Sequence, residues 1–402
     1  MLGWRLRLID HVMMLLEHDA KSLLAETGIP VPAGTLAHSP EAPTTPTPAG
    51  PWIVKAQVPV GGRGKAGGIV TANDPQGLKS ALARVLGSSI KGHTVLDCRI
   101  EEAVRGLECY LSFTLDPAEG RIRVLASDRG GMDVEAHAAG GALSSCDADY
   151  SADAVAQAVR VLVEDFGEPV RSALRAAAQP LASAYFALEA TLLEINPLFV
   201  RADGTWVIGD SKLVIDDNAL PRQPRLTELV RTRARAYPEI ALKLAHGFDF
   251  VVLDPAGEVG LVTTGAGLSM QLIDEIVERG YRPFNFCDIR TGQFRGDPTR
   301  LIQVLRWIAD GPAIRSVLMN FFAGVTHLGE LAQLLVVALK AVPELKVPIT
   351  LRIIGNGYDE ATAILRAAGN PVLVEPDLER ALDVCLEPLA QIKRNASPGP
   401  AA

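Results

Sequence analysis

A lysine and a glycine-rich loop near the start of the chain have the residue types of a phosphate-binding site. Lys55 lies on a predicted strand, and the loop at 59–68 contains five glycines with Arg63 and Lys65 between them. Glycines leave backbone N–H groups accessible to phosphate oxygens, and the basic side chains neutralise phosphate charge. The loop differs from a Walker A motif, because Ala66 stands where that motif has Ser or Thr. Taken alone, the pattern fits either nucleotide binding or a mobile basic turn.

A predicted β-hairpin places two oxygen ligands opposite each other. Its turn, 202–204, separates two apolar runs. Regular pairing across this turn sets Asn196 opposite Asp210 and Glu194 opposite Lys212, all on one face. Facing oxygen ligands beside a carboxylate and an ammonium suit an octahedral Mg²⁺ that is shared with nucleotide phosphates. An exposed polar face with ordinary cross-strand pairs is the alternative.

Three glutamates between these two features are weaker candidates. Glu101, Glu102 and Glu108 flank the segment 104–107. Carboxylates at these positions can accept hydrogen bonds from ribose hydroxyls or from a base amine. A solvated acidic turn fits the pattern equally well.

The elements that carry these residues differ between the two halves of the chain. Predicted strands at 52–58 and 121–126, with an alanine-rich helical stretch at 151–187, give the first half an α+β pattern. After residue 240, strands and helices alternate, which predicts a parallel, doubly wound sheet. The predicted strands are 250–253, 259–262, 283–286, 316–321, 348–354 and 371–375, and the predicted helices are 269–278, 298–309, 328–341, 359–368 and 378–386.

Loops at the ends of these later strands are candidates for an anion site. Several strands end in glycine or small residues, as at 263–267, 288–292, 322–326 and 355–358. In an open parallel sheet, ligands bind outside the carboxyl ends of the strands, where helix N-termini favour carboxylate or phosphate.

Composition excludes several classes of protein. The 402 residues are 48% hydrophobic and 21% charged, as in ordinary globular proteins, and the net charge of −8 gives no global attraction to nucleic acid or an anionic membrane. No run approaches the ~18 apolar residues of a membrane span, and no cleavage site follows the first apolar stretch. Five cysteines without a C-x-x-C pair argue against disulfides and zinc, which predicts a reducing, cytoplasmic location.

Several long motifs, in order, resemble the β subunit of succinyl-CoA synthetase and its relatives, including the malate–CoA ligase β chain. The likeness spans roughly residues 14–388 and is carried by 51–58 with 61–68, 127–135, 193–198, 210–212 with 217–220, and 265–268. It implies an ATP-grasp nucleotide-binding domain of two α+β subdomains at 14–235. It further implies a flavodoxin-like, doubly wound ligase domain at 245–390. The composition of the last residues predicts a disordered tail at 391–402.

The resemblance implies one subunit of an ADP-forming acid–CoA ligase. A partner α subunit would carry a histidine that takes a phosphoryl group from ATP or GTP and passes it to a small carboxylic acid. Coenzyme A, bound mainly by the partner, would then attack the acyl phosphate. The implied assembly is αβ or α₂β₂, with Mg²⁺ at the nucleotide and with neither nucleic acid nor membrane as a partner.

The resemblance also implies roles for single residues of the first half. For the metal site, it implies the same hairpin face that the residue types predict. The phosphates would be held by Lys55, Gly62, Arg63 and Gly64, the nucleotide pocket would be lined by Glu101, Val104 and Glu108, Mg²⁺ would be bound by Asn196 and Asp210, and the partner histidine would be oriented by Glu194.

The expected acid site departs from the family pattern. Thr264 stands where the family has Asn, Arg290 replaces a glycine, and the segment with Gly324, Val325 and Thr326 is altered. A guanidinium in place of glycine either pairs with an extra carboxylate of the substrate or blocks the pocket.

Two main hypotheses follow. The first is an acid–CoA ligase β subunit that acts on a small di- or tricarboxylate. The second is a catalytically idle, regulatory or binding paralogue that keeps Mg-nucleotide binding while its acid loops have decayed. A carboxylate ligase with an acceptor other than coenzyme A is a third alternative.

Overall fold

The chain divides into two structural units between Thr232 and Arg233. The structure is a computed structural model that describes residues 12–41, 48–131, 143–290, 296–324, 326–369 and 372–396. Each unit has its own sheets and is described by itself. The five cysteines are free thiols, and four of them are buried. None of the helices in these ranges is both long enough and apolar enough to cross a membrane.

The first unit is α+β, as predicted. Its elements along the chain are Val12–Met14 (β1), Glu17–Glu26 (α1), Gly34–Ala37 (β2), Trp52–Ala56 (β3), Ile69–Ala72 (β4), Pro75–Val85 (α2), Ser89–Ile90 (β5), His93–Thr94 (β6), Cys98–Glu102 (β7), Leu107–Asp116 (β8), Arg121–Ser127 (β9), Ser144–Ala148 (β10), Ala152–Leu162 (α3), Val170–Ala187 (α4), Ala190–Val200 (β11), Trp206–Ile208 (β12), Ser211–Asp216 (β13), the 3₁₀ helix Asp217–Arg222, and Pro224–Thr232 (α5).

Two antiparallel sheets hold the candidate residues of this unit. The larger has the order β1-β13-β11-β8-β9-β10, with β12 paired to β11, and α3 and α4 pack on it. The smaller has the order β2-β7-β3-β4 and packs on α2 through a core that includes Val54, Leu82 and Ile100. The smaller sheet therefore carries Lys55, and the larger carries the predicted metal hairpin.

The alanine-rich stretch forms two helices rather than one. The Ser151 side chain caps α3 by accepting from the Ala154 N–H. Between α3 and α4, Gly167 and Pro169 interrupt the helical pattern, because proline donates no backbone hydrogen bond and restricts the residue before it.

The second unit alternates strands and helices, as predicted. Its elements are Pro238–His246 (α6), Asp249–Val252 (β14), Val259–Thr263 (β15), Ala266–Glu278 (α7), Asn285–Asp288 (β16), Thr299–Ala309 (α8), Ser316–Ala323 (β17), Leu328–Ala341 (α9), Ile349–Gly355 (β18), Tyr358–Ala367 (α10), Val372–Val374 (β19) and Leu378–Ala396 (α11).

One six-stranded sheet organises this unit. Its order is β14-β16-β15-β17-β18-β19, and all neighbours are parallel except β14, which is antiparallel to β16. Counted from β15, the parallel strands follow the order 2-1-3-4-5 of flavodoxin-like folds, which confirms the predicted fold class. β15 is buried throughout, as expected for a parallel sheet covered on both faces. Its topological switch point lies between β15 and β17.

The last helix corrects one prediction. The disordered tail was expected from residue 391, but α11 continues to Ala396. Lys393 donates to the Gly280 carbonyl at 2.8 Å, and its ammonium lies 3.8 Å from the centre of the Tyr281 ring. A cation near a helix C-terminus also interacts favourably with the helix dipole. Residues 397–402 lie outside the described part of the chain.

Truncation tests this correction. Removing residues 391–402 takes away the Lys393 contacts and should lower the free energy of unfolding by about 1–2 kcal/mol in urea titrations. Removing only residues 397–402 keeps those contacts and should change the free energy of unfolding by less than about 0.5 kcal/mol. Equal stability of the two truncated chains would contradict the role given to Lys393.

Candidate functional site

The phosphate-type loop and the hairpin meet at one cavity in the first unit. The cavity has a volume of about 130 Å³. It is large enough for a phosphate group with a few water molecules. Its polar lining comes from three elements: Gly61, Gly62 and Arg63 of the loop, Glu194, Asn196, Asp210, Ser211 and Lys212 of the hairpin, and Glu17 of α1.

The hairpin has the predicted register. Glu194 pairs with Lys212, and the Asn196 N–H donates to the Asp210 carbonyl at 3.2 Å. Beyond these residues the pairing is interrupted, because the N–H groups of Gly209 and Asp210 both donate to the Pro197 carbonyl, at 2.8 and 3.3 Å. The two proposed metal ligands therefore lie at a local irregularity of the hairpin, where their side chains leave the regular ladder.

Glycine is required at position 209. A Cβ there would lie 2.3 Å from the Phe199 ring and 2.9 Å from the Pro197 carbonyl oxygen. The close approach allows the chain to turn into Asp210 at the edge of the cavity.

Arg63 joins the loop to the hairpin. Its Nη2 donates to both carboxylate oxygens of Asp210, at 2.7 and 2.8 Å, and its Nη1 donates to the Ala56 carbonyl at 3.0 Å. The side chain is 93% buried, so the guanidinium is held in one orientation at the cavity. Paired charge-assisted hydrogen bonds of this kind are among the strongest polar contacts in proteins.

Lys55 lies behind the cavity, in a group of buried charges. Its ammonium contacts Glu17 at 2.8 Å, Glu101 at 2.5 Å and the Gly209 carbonyl at 2.6 Å. Burial alone would lower the pKa of Lys55. The negative charges of Glu17 and Glu101 outweigh this effect and raise the pKa, so the ammonium stays charged.

Asn196 and Glu194 have different surroundings. The Asn196 Oδ1 accepts from the Gly131 N–H at 2.7 Å, which orients its oxygen. Burial, together with the charge of Asp210, raises the pKa of the Glu194 carboxyl, and Lys212 across the hairpin opposes this shift. Glu194 is half-buried at the cavity, where it can accept a hydrogen bond from an incoming group.

The other predicted nucleotide residues do not line this cavity within the described part of the chain. Glu101 is 98% buried and contacts Lys21 and Arg99 as well as Lys55. Gly64 and Glu108 are exposed and Val104 is half-buried. Their proposed contacts with a nucleotide stay predictions.

Sequence reasoning missed two charged residues at this site, Glu17 and Lys21. They are four residues apart on one face of α1, and both are buried. The available signal was an i,i+4 charge pair on a short helix, which ordinarily indicates a solvated face.

The predicted acid-site residues lie at the carboxyl ends of three neighbouring strands in the second unit. Thr264 follows β15; its Oγ1 accepts from the Phe322 N–H at 3.0 Å. Gly324 and Thr326 follow β17, beside the topological switch point, and Val325 lies outside the described residues. Arg290 follows β16, and its N–H contacts the Asp288 carboxylate at 3.3 Å.

Arg290 has both a strained backbone and a fixed side chain. Its φ of 54° lies in the left-handed region, where most residues are disfavoured. Its Nη2 contacts Asp249 at 2.9 Å, and Asp249 also pairs with Lys243 at 3.1 Å. The side chain remains 46% exposed, so the guanidinium keeps N–H groups toward solvent.

The geometry at Gly209 gives a direct test. Gly209→Ala should lower the free energy of unfolding by about 1–3 kcal/mol, because the new Cβ overpacks against Phe199 and Pro197. Gly61→Ala is the matched control: a Cβ there meets nothing within 4 Å, so stability should change by less than about 0.5 kcal/mol. Urea unfolding of the intact chain measures both, and equal effects would contradict the close packing at Gly209.

Comparisons with known proteins agree with both units. The family model of the ATP-grasp domain matches residues 14–200, and that of the CoA-ligase matches residues 262–383. This order of domains confirms the predicted fold class.

Similar sequences are ligase subunits. The chain is 36% identical over 370 residues to the succinate–CoA ligase [ADP-forming] subunit β of Chloroflexus aurantiacus, covering 88% of this chain and 93% of that protein. It is 37% identical to the succinate–CoA ligase [GDP-forming] subunit β of Thermus thermophilus, and the match covers 90% of this chain and 96% of that protein. It is 32% identical to a probable malate–CoA ligase subunit β of Mesorhizobium japonicum, and the match covers 91% of this chain and 95% of that protein.

A similar solved structure is that of ATP citrate lyase from Methanothrix soehngenii, in complex with citrate and coenzyme A. The TM-score is 0.72 at 18% identity, and the match covers 94% of this chain and all of that one. The likeness shows a shared fold.

Proposed function

Because the chain belongs to the family of succinate–CoA ligase β subunits, we propose that it is the nucleotide-binding subunit of an acid–CoA ligase that acts on a small di- or tricarboxylic acid. The observation that carries the proposal is that Arg63 of the loop and Asp210 of the hairpin meet at one cavity. This juxtaposition supports the proposal, because phosphoryl transfer needs a cation for the phosphates and an oxygen ligand for the metal close together.

The proposed reaction has three steps. A histidine of a partner α subunit attacks the γ-phosphorus of ATP, and the bond to the β–γ bridging oxygen breaks, which releases ADP. A substrate carboxylate then takes the phosphoryl group from the histidine to form an acyl phosphate. The thiol of coenzyme A, held mainly by the partner, attacks the acyl carbon, loses its proton and displaces inorganic phosphate. The assembly is either one αβ pair or an α₂β₂ dimer of such pairs.

The residues at the cavity fit Mg²⁺. Asn196 and Asp210 offer amide and carboxylate oxygens, the ligand types that this cation prefers. Across the ranges that the structure describes, His, Cys, Asp and Glu form no group of three or more suited to a metal. Nucleotide phosphates and water would therefore complete the coordination. When bound, Mg²⁺ neutralises charge on the transferred phosphoryl group.

The chain's own residues orient the reacting groups. Gly62 and Arg63 contact phosphate oxygens at the cavity, Gly64 shapes the exposed part of the loop, and Lys55 supplies a fixed positive charge from behind. Val104 and Glu108 contact the nucleoside. Glu194 accepts a hydrogen bond from the partner histidine and orients its ring for attack.

The acid binds in the second unit, at the carboxyl ends of β15, β16 and β17. Thr264, Gly324, Val325 and Thr326 hold the carboxylate that reacts. Arg290 holds an additional carboxylate, because Asp249 fixes its guanidinium while leaving N–H groups exposed. A guanidinium at this position favours acids with at least two carboxylates over acetate-like acids.

Loss of the metal ligand tests the nucleotide site. In a coupled assay of ADP release and thioester formation with an α-type partner, Asp210→Asn should lower kcat/KM by two orders of magnitude or more, about 3 kcal/mol. Asp203→Asn, at the exposed tip of the same hairpin, is the control and should keep activity within about twofold. Similar activity of the two variants would contradict the assignment of Asp210.

An acid panel tests Arg290. With succinate, malate, citrate and monocarboxylate controls, Arg290→Gly should raise the KM for the preferred acid at least tenfold, because a charge-assisted pair is lost. The KM for ATP should stay unchanged. Higher activity of the variant would show instead that Arg290 blocks the pocket. Absence of activity with every acid in the wild-type pair, with Mg-ATP still bound, would favour the idle paralogue.

A further inference from the structure

A cluster of buried charges adjoins the phosphate cavity, and two of its members, Glu17 and Arg63, line it. It joins α1, the β3 strand, the glycine-rich loop and β7, and each member is at least 93% buried. Its members, called here the α1 ion cluster, are Glu17, Lys21, Lys55, Arg63 and Glu101.

Glu17 contacts every cation of this cluster. Its Oε1 lies 2.7 Å from the Lys21 Nζ and 2.8 Å from the Lys55 Nζ. Its Oε2 lies 2.7 Å from the Arg63 Nη2. One carboxylate therefore joins the two cations that the proposed function places at the phosphates.

Burial disfavours a charged carboxylate, but these neighbours outweigh it. Lys21, Lys55 and Arg63 hold the pKa of Glu17 well below its ordinary value. Glu17 is therefore ionised at neutral pH, and it offsets part of the positive charge that the three cations bring into the interior.

Arg63 has a second anionic partner in Asp210. Any ligand that draws Asp210 away, a divalent cation above all, removes that partner. Contacts with Glu17 and with the Ala56 carbonyl at 3.0 Å remain and keep the guanidinium in place. Glu101 holds Lys55 in the same manner from the other side, at 2.5 Å.

We propose that Glu17 is a positioning residue for the nucleotide phosphates. It fixes the side chains of Lys55 and Arg63 before the nucleotide arrives, so binding does not have to order two long, flexible cations. This inference rests on the proposed function, because it assumes that a Mg-nucleotide occupies the cavity.

Lys21 provides the matched control. It lies on the same face of α1, is fully buried and contacts Glu17 and Glu101, and its ammonium donates to the Gly209 carbonyl at 2.7 Å. That carbonyl also accepts from Lys55 at 2.6 Å, so it keeps a partner when Lys21 is replaced. Unlike Glu17, Lys21 does not line the cavity in the described part of the chain.

The experiment compares Glu17→Gln, Lys21→Met and the double variant in the full-length chain. Calorimetry measures the dissociation constant of Mg-ATP, and urea unfolding measures stability. Both single variants should be less stable than wild type, because each removes one of the opposite charges that compensate the other buried charges of the cluster. The dissociation constant should rise at least tenfold for Glu17→Gln and stay within about threefold for Lys21→Met.

The double variant separates positioning from folding. Removing one carboxylate and one ammonium restores the charge balance, so Glu17→Gln with Lys21→Met should recover most of the stability lost by Glu17→Gln while its Mg-ATP affinity stays at least tenfold weaker than wild type. Wild-type affinity in a folded Glu17→Gln chain, or in the double variant, would overturn the inference. Failure of the wild-type chain itself to bind Mg-ATP would instead overturn the proposed function.

Discussion

The pairing of the Arg63 guanidinium with the Asp210 carboxylate connects two segments that are 147 residues apart in the chain. The loop is anchored on the smaller sheet of the first unit, and the hairpin belongs to the larger sheet. Glu17 completes the connection from α1. Without these contacts, the glycine-rich loop would be a flexible basic turn and the hairpin an exposed polar face. The contacts between these opposite charges hold the loop and the hairpin together as one site with a fixed geometry.

The second unit builds its candidate site by a different physical route. There the order of the parallel strands alone brings the loops after β15, β16 and β17 to one edge of the sheet, without a need for side-chain contacts. A charged side chain is then held at this edge. Arg290 adopts a left-handed backbone, and its guanidinium contacts Asp249 at 2.9 Å. The substrate preference that we propose depends on this cation.

The sequence predicted those parts of the structure that follow from local periodicity. The hairpin register between Glu194 and Lys212 follows from a short turn and strand alternation, and the parallel sheet follows from alternating elements. The position of Glu17 could not be predicted, because it depends on how α1 packs against a loop more than 40 residues away. The end of α11 was missed for a similar reason, since Lys393 is held by a carbonyl 113 residues earlier.

The most direct test of the account is a calorimetric titration of the intact chain with ATP, with Mg²⁺ and with the cation removed by a chelator. If Asp210 and Asn196 bind the metal beside phosphates held by Arg63, affinity should be at least tenfold higher with Mg²⁺, about 1.4 kcal/mol or more. Equal affinity in both conditions, or no binding in either, would contradict the claim that loop and hairpin form one Mg-nucleotide site.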